Sequence, residues 1–430
     1  MLSISVALES LQGFLSDELP DAPGTRFVDI PFALNDAFDP LAWLCRQPVW
    51  PQFYWQQRNG DEEVAALGAV RRFAALPQAD HFLQQPAAAD LRVWGLNAFA
   101  PEQGALFLPR LEWRRSAGKA SLRLTLSSDT SLRQDAQRAR EMLSQLLPGG
   151  ALPELSLSLK SERHHPDRAG WFRLIAQATD AIAAGELDKV VLARATDLRF
   201  NQPLCAGAIM AASRRVNLHC YHFFMAFDAD SAFLGSSPER LWRRRGNLLR
   251  TEALAGTVAS HPDERQAQHL ANWLMHDDKN QRENMLVVED ICQRLQDDVQ
   301  ALEVLPPQVV RLRKVQHLRR CIWTTLTSPD DARCLLQLQP TAAVAGLPRD
   351  VARRFIEHHE PFVREWYAGS AGYLSRERSE FCVALRSAKV TGDTLRLYAG
   401  AGIVRGSDPE QEWQEITNKA AGLRSLVLDD

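Results

Sequence analysis

Apolar and polar residues alternate with a two-residue period over many short stretches of this chain, the pattern of strands with one buried face. Ser121-Leu-Arg-Leu-Thr-Leu126 shows it most cleanly. Residues 53–56 and 65–70 predict strands on either side of Arg58-Asn-Gly-Asp-Glu, whose Asn-Gly pair is a strong hairpin signal. Further strands are predicted at 91–96 and 106–113. Wider, helical spacing marks residues 8–19 and 134–147.

Pro148-Gly-Gly-Ala-Leu-Pro153 is the clearest breaker cluster and predicts a boundary. It separates an N-terminal α+β part (1–150), which completes a sheet scaffold, from residues 151–430. In the second part a strand is predicted at 155–159 and a helix at 171–184, closed by Gly185. Lys189-Val-Val-Leu-Ala-Arg194 opens another strand, and a hairpin follows at 221–227 and 232–235. A long helix covers 264–295, with Asp277-Asp278 as its weak point; strands return at 369–374, 381–389 and 394–399. Hairpin strands with helices set apart make an α+β chain with antiparallel sheets, not a Rossmann fold.

Composition changes this picture little. The chain has 430 residues, 45% hydrophobic and 24% charged, as in ordinary globular proteins. A net charge of −3 with dispersed basic residues leaves no electrostatic footprint for nucleic acid. The N-terminus has no basic n-region, and no run approaches the 18 apolar residues of a membrane span. Seven scattered cysteines without a Cys-x-x-Cys predict a reduced, cytoplasmic protein. Trp43, Trp50, Trp55, Trp94 and Trp113 are expected in the core.

The chemistry concentrates near the C-terminus. A short apolar run reaches the glycines at 400, 402 and 406, and the turn opens directly onto a helix. Ser407 or Asp408 suits its N-cap, Pro409 its first turn, and Glu410 the positive end of its dipole. Glu412, Glu415 and Lys419 fall at i, i+3 and i+7, on one face. Bare glycine amides beside clustered carboxylates suit an anionic substrate held through a divalent cation. The glycines do not follow Gly-x-Gly-x-x-Gly, which argues against a dinucleotide site.

Other segments gain meaning beside this helix: Glu186-Leu-Asp-Lys-Val-Val-Leu-Ala-Arg194, Gly235-Ser-Ser-Pro-Glu-Arg-Leu241, Glu252-Ala-Leu-Ala-Gly-Thr257 and Asp278-Lys-Asn-Gln-Arg-Glu-Asn284. Further on stand Val315-Gln-His-Leu318, Pro340-Thr-Ala-Ala-Val-Ala-Gly346, Tyr367-Ala-Gly369 and Leu385-Arg-Ser-Ala388. In this order the set resembles the chorismate-utilising enzymes, the anthranilate, aminodeoxychorismate, isochorismate and salicylate synthases. The resemblance implies an α+β fold of two large antiparallel sheets wrapped by helices, with chorismate as substrate and Mg²⁺ as cofactor.

By the same resemblance, Glu283 and Glu415 match metal ligands and Glu412 a contact to metal-bound water. Lys189 matches a general base. Such a lysine must first shed its proton, which apolar Val190, Val191 and Leu192 and a nearby cation favour. Glu239 matches the general acid that protonates the departing C4 hydroxyl, a task that needs a carboxyl still protonated at neutral pH. Arg386 would grip the enolpyruvyl carboxylate, with Tyr367 and the amides of Gly400 and Gly402 completing that pocket. Lys419 would support the ring carboxylate or the metal ligands, and Thr257 and His317 would line the ring.

Lysine at 189 matches the members that add water, where the ammonia-using synthases carry glutamine. Ala255 stands where aminodeoxychorismate synthases carry a nucleophilic lysine. No amidotransferase set is visible, so no obligatory glutaminase partner is expected. The expectation is therefore Mg²⁺-dependent isomerisation of chorismate to isochorismate, for menaquinone biosynthesis. A siderophore-pathway enzyme, or a salicylate synthase that goes on to eliminate pyruvate, is the alternative.

Overall fold

The Asn-Gly pair closes a hairpin between strands Gln52–Gln56 and Glu62–Phe73 in the computed structural model, which describes residues 4–15, 19–32 and 38–428. Gly60 takes the left-handed backbone that this turn requires (φ +77°). Among the described residues, 20 strands join one hydrogen-bonded network in which every pairing is antiparallel.

The two expected sheets are two arms of that network. One arm runs Gly24–Phe32, Lys119–Ser128, Gly104–Ser116, Glu62–Phe73, Gln52–Gln56, Tyr221–Ala226, Ser231–Ser237, Ser387–Thr391, Thr394–Ile403 and Lys189–Phe200. The other leaves the same Gly104–Ser116 strand and runs Val93–Asn97, Ser370–Leu374, Arg378–Val383, Arg240–Arg245, Leu248–Ala259 and Val315–Leu326. Strands from before residue 150 thus pair directly with strands from after it.

Pleating sends alternate side chains to opposite faces. Phe53 and Trp55 therefore enter one apolar core while Tyr54 enters a second. Trp43, Trp55, Trp94 and Trp113 are buried, and Trp50 is partly so.

Several boundaries depart from the sequence reading. The first helix is Ile4–Phe14; residues 16–18 of the predicted 8–19 lie outside the described part. Residues 155–158 form no strand: Leu155 and Leu157 pack against the second core without a partner, and the ladder starts at Leu159–His165. The long helix breaks at Asp277, whose extended backbone ends Glu264–His276 and whose carboxylate caps Asp278–Leu295 through the Asn280 amide.

The predicted strand 381–389 is two strands, Arg378–Val383 and Ser387–Thr391. They lie in different arms. Between them the chain turns a corner, with Arg386 in the left-handed region (φ +48°). A second corner, Pro238-Glu239, joins Ser231–Ser237 in one arm to Arg240–Arg245 in the other.

Candidate active site

The two corners are stitched together. The Val383 amide donates to the Glu239 carbonyl at 3.0 Å, and the Ser236 amide donates to the Arg386 carbonyl at 3.1 Å. Their side chains enter one cavity of about 610 Å³, counted with its open mouth. Thr257, Glu283, His317, Tyr367, Gly400, Gly402 and Lys419 line the same space, and Val191, Leu254, Ala343, Val344 and Leu385 give it an apolar wall. Lys189, Glu412 and Glu415, expected in the site, are not among its lining residues; each is paired with a charged neighbour.

Lys189 begins strand Lys189–Phe200 and is completely buried. Its Nζ lies 3.0 Å from Glu283 Oε1, yet no acceptor meets it in hydrogen-bond geometry. Glu283 reaches it from helix Asp278–Leu295. Both fit because Gly402 has no side chain: a Cβ there would stand 2.3 Å from Glu283 Oε1 and 3.0 Å from Lys189 Cε. Gly400 likewise makes room, since a Cβ there would stand 2.7 Å from the Tyr367 hydroxyl.

Glu239 is buried and its Oε1 has no hydrogen-bond partner. Burial, then the neighbouring Glu252 carboxylate, push its carboxyl up to about 8 against the pull of Lys189, Lys419 and Arg386. It is therefore mostly protonated at neutral pH. Arg240 and Arg243, the obvious salt-bridge partners in sequence, face Glu380 instead, at 3.7 and 3.6 Å.

Arg386 donates through Nη2 to His317 Nε2 at 2.6 Å. Guanidinium only donates, so Nε2 is the acceptor and Nδ1 carries the proton toward Thr257 Oγ1, 3.0 Å away. Burial, with Arg386 and Lys419 nearby, holds His317 well below the usual imidazole range, which keeps it neutral. Among the described residues no carboxylate pairs with Arg386 within 4 Å. It is a half-buried cation facing the cavity without a counter-ion among the described residues.

Asp408 caps helix Pro409–Arg424 by accepting from the Glu410 and Gln411 amides. Lys419 pairs with Glu415 at 2.7 Å and donates to the Gly400 carbonyl at 2.8 Å, tying this helix to the glycine strand. Glu412 pairs with Lys279 at 3.3 Å. Burial, then the Glu415 carboxylate, push Glu412 up to about 7, with Glu283 adding to the effect. Three carboxylates from two helices therefore share one region and repel one another. Among the described residues no three such groups close into a complete metal cage.

Three contributors escaped sequence reasoning in their site roles. Asn280 Oδ1 accepts from the Thr257 amide at 3.0 Å, where Gly256 (φ +89°) makes a bulge against strand Val315–Leu326. Glu252 was visible only as part of a motif. Arg58 was read solely as a turn residue, yet it forks onto the Glu252 carboxylate at 2.6 and 2.8 Å.

Residues 96–427 match the family described as chorismate binding enzyme. The chain belongs to this family. Over 428 residues it is 69% identical to the isochorismate synthase MenF of Escherichia coli strain K12, covering 99% of both sequences. Over 399 residues it is 41% identical to the isochorismate synthase MenF of Haemophilus influenzae, covering 92% of this chain and 90% of that one. The solved structure of the menaquinone-specific isochorismate synthase from E. coli superposes with a TM-score of 0.97, over 99% of this chain and 100% of the other. Anthranilate synthase component I of Streptococcus pneumoniae, 20% identical with a TM-score of 0.66, shares the fold.

Proposed function

We propose that this protein is an isochorismate synthase acting in menaquinone biosynthesis, converting chorismate to isochorismate. The observation that carries the reading is one cavity with a buried carboxylic acid, Glu239, and a buried amine, Lys189, just behind its Glu283 and Gly402 wall. The names of the full-length relatives support it. No described helix is long and apolar enough to cross a membrane.

Arg386 has the geometry to receive the enolpyruvyl carboxylate, with Tyr367 and the Gly400 and Gly402 amides beside it. Thr257 and His317 flank the ring, the latter a neutral, oriented imidazole. Lys189 receives a proton from water as the oxygen bonds to C2. The ring double bonds shift, and the C4–O bond breaks as Glu239 delivers its proton to the departing hydroxyl. Water enters and water leaves. Lys189 has gained one proton and Glu239 has lost one, and exchange with solvent resets both.

The acidic set suits Mg²⁺, which takes oxygen ligands and needs only one or two protein carboxylates beside water and substrate. Glu283 and Glu415 would hold the ion and Glu412 a water on it; mutual repulsion of these carboxylates is what a cation relieves. When bound, the ion would anchor the ring carboxylate and neutralise charge there.

Nothing in the residues favours pyruvate elimination over release of isochorismate. Purified protein should therefore turn chorismate into isochorismate, with activity lost in EDTA and restored by Mg²⁺. Chromatographic detection of salicylate and pyruvate as the main products would overturn this reading in favour of a salicylate synthase.

A further inference from the structure

Glu239 stands at a corner whose backbone is held from the N-terminal part of the chain. Arg58, in the turn after strand Gln52–Gln56, donates through Nη1 to the Pro238 carbonyl at 2.7 Å. The same guanidinium forks onto Glu252, Nη1 to Oε1 at 2.6 Å and Nη2 to Oε2 at 2.8 Å. Glu252 Oε1 in turn accepts from the Arg240 amide at 2.8 Å. The carbonyl just before Glu239 and the amide just after it are thus gripped by one ion pair. Its two side chains are only 9% and 0% exposed.

We propose that Arg58 and Glu252 form a positioning brace for Glu239, fixing the corner so that its carboxyl points into the cavity. This rests on the acid role given to Glu239 above. Buried ion pairs are weak evidence of stability, because desolvation offsets much of the attraction. Here the pair meets the backbone on both sides of one functional residue. That placement goes beyond what holding the hairpin requires.

The brace also sets the charge around the acid. Glu239 faces Glu252 from its own arm of the sheet, Lys189 from strand Lys189–Phe200, Lys419 from the last helix and Arg386 from the second corner. Glu252 faces Arg58 and Arg240, with the Tyr221 hydroxyl close by. Burial pulls Glu252 up, but Arg58 and then Arg240 outweigh it and hold it below the usual carboxylate range. Glu252 therefore keeps its charge and opposes ionisation of Glu239.

The test compares Arg58→Lys and Glu252→Gln with Arg110→Lys in chorismate turnover. Arg110 makes a similarly buried fork, with Asp135, but away from the cavity. Lysine at 58 keeps the charge but cannot hold Pro238 and both Glu252 oxygens at once. It should lower kcat about ten- to a hundredfold while KM for chorismate moves less than about twofold. Glu252→Gln removes the repelling carboxylate, so the alkaline fall of kcat should move to lower pH. Arg110→Lys should lower Tm alone.

Infrared titration of the protonated Glu239 carboxyl, assigned by its disappearance in Glu239→Gln, reads the same shift without turnover. Loss of Tm with wild-type kcat and an unmoved titration in both brace variants would overturn the proposal. If wild-type protein left chorismate unchanged, the function above would fail, and the infrared titration would still decide whether the brace exists.

Discussion

Arg386 and His317 meet nitrogen to nitrogen, the guanidinium donating to Nε2 at 2.6 Å. A neutral imidazole with one fixed tautomer thereby orients a cation that has no carboxylate of its own. The contact leaves the other guanidinium donors for a substrate anion. Arg386→Lys would lose the fork and the His317 contact together. Charge-assisted hydrogen bonds are each worth about 1.5–3 kcal/mol, so KM for chorismate should rise about tenfold or more, with a smaller change in kcat. Steady-state kinetics at saturating Mg²⁺ read this directly; an unchanged KM would remove Arg386 from the anion pocket.

Glu239 gives the pH dependence. The general-acid role proposed for it requires the protonated form, and its carboxyl is pushed up to about 8. Activity should fall as pH rises through that value. The folded protein keeps a proton there that the unfolded chain releases near its ordinary value of 4.5. Stability contributed by this group therefore declines between pH 4.5 and 8. Glu239→Gln should abolish turnover yet gain in Tm relative to wild type as pH is raised from 5 to 9. A parallel Tm profile in the two proteins would contradict the assignment.

Gly402→Ala probes the crowding beneath the site. The added methyl would meet Glu283 Oε1 and Lys189 Cε, both ends of movable side chains. Overpacking of this kind costs about 1–3 kcal/mol. The expected outcome is a folded protein with slightly lower Tm, weaker Mg²⁺ binding by titration calorimetry and much reduced kcat. Wild-type Mg²⁺ affinity would show that Glu283 does not depend on this gap.

Lys189→Met removes a buried amine nitrogen that lies beside Glu283 but makes no hydrogen bond. Glu283 is left facing the cavity and its solvent. Water addition should stop while binding of chorismate, followed by fluorescence, persists. Turnover at the wild-type rate would dismiss Lys189 as base.

Glu283→Gln keeps shape and removes charge. Mg²⁺ affinity should fall at least tenfold, about 1.4 kcal/mol, and calorimetric titration without chorismate is the check. An unchanged isotherm would take Glu283 out of the ligand set.

Much of this was legible in the chain. The hairpin at Asn59-Gly60, the break at Asp277 and the cap at Asp408 follow from local chemistry, because turn and cap residues act on their own backbone. What local reading missed was long-range. Residues 381–389 alternate well enough to suggest one strand, and nothing within them says that the chain changes arms at Arg386. Leu155 and Leu157 carry a strand pattern but find apolar packing without a partner edge. The site residues that form quoted motifs gather around one cavity, whereas Arg58 gave only its turn signal. Its reach to Pro238 and Glu252 is set by the pairing of strands from distant parts of the sequence.

Because each corner lends a carbonyl to the other's strand, Glu239 and Arg386 belong to a single rigid frame. The helices bearing Glu283 and Glu415 are separate pieces that pack against that frame, on strands Leu248–Ala259 and Thr394–Ile403. Grafting a different reaction onto this scaffold would best begin with those helices and the Leu254–Ala255 wall, leaving the frame untouched.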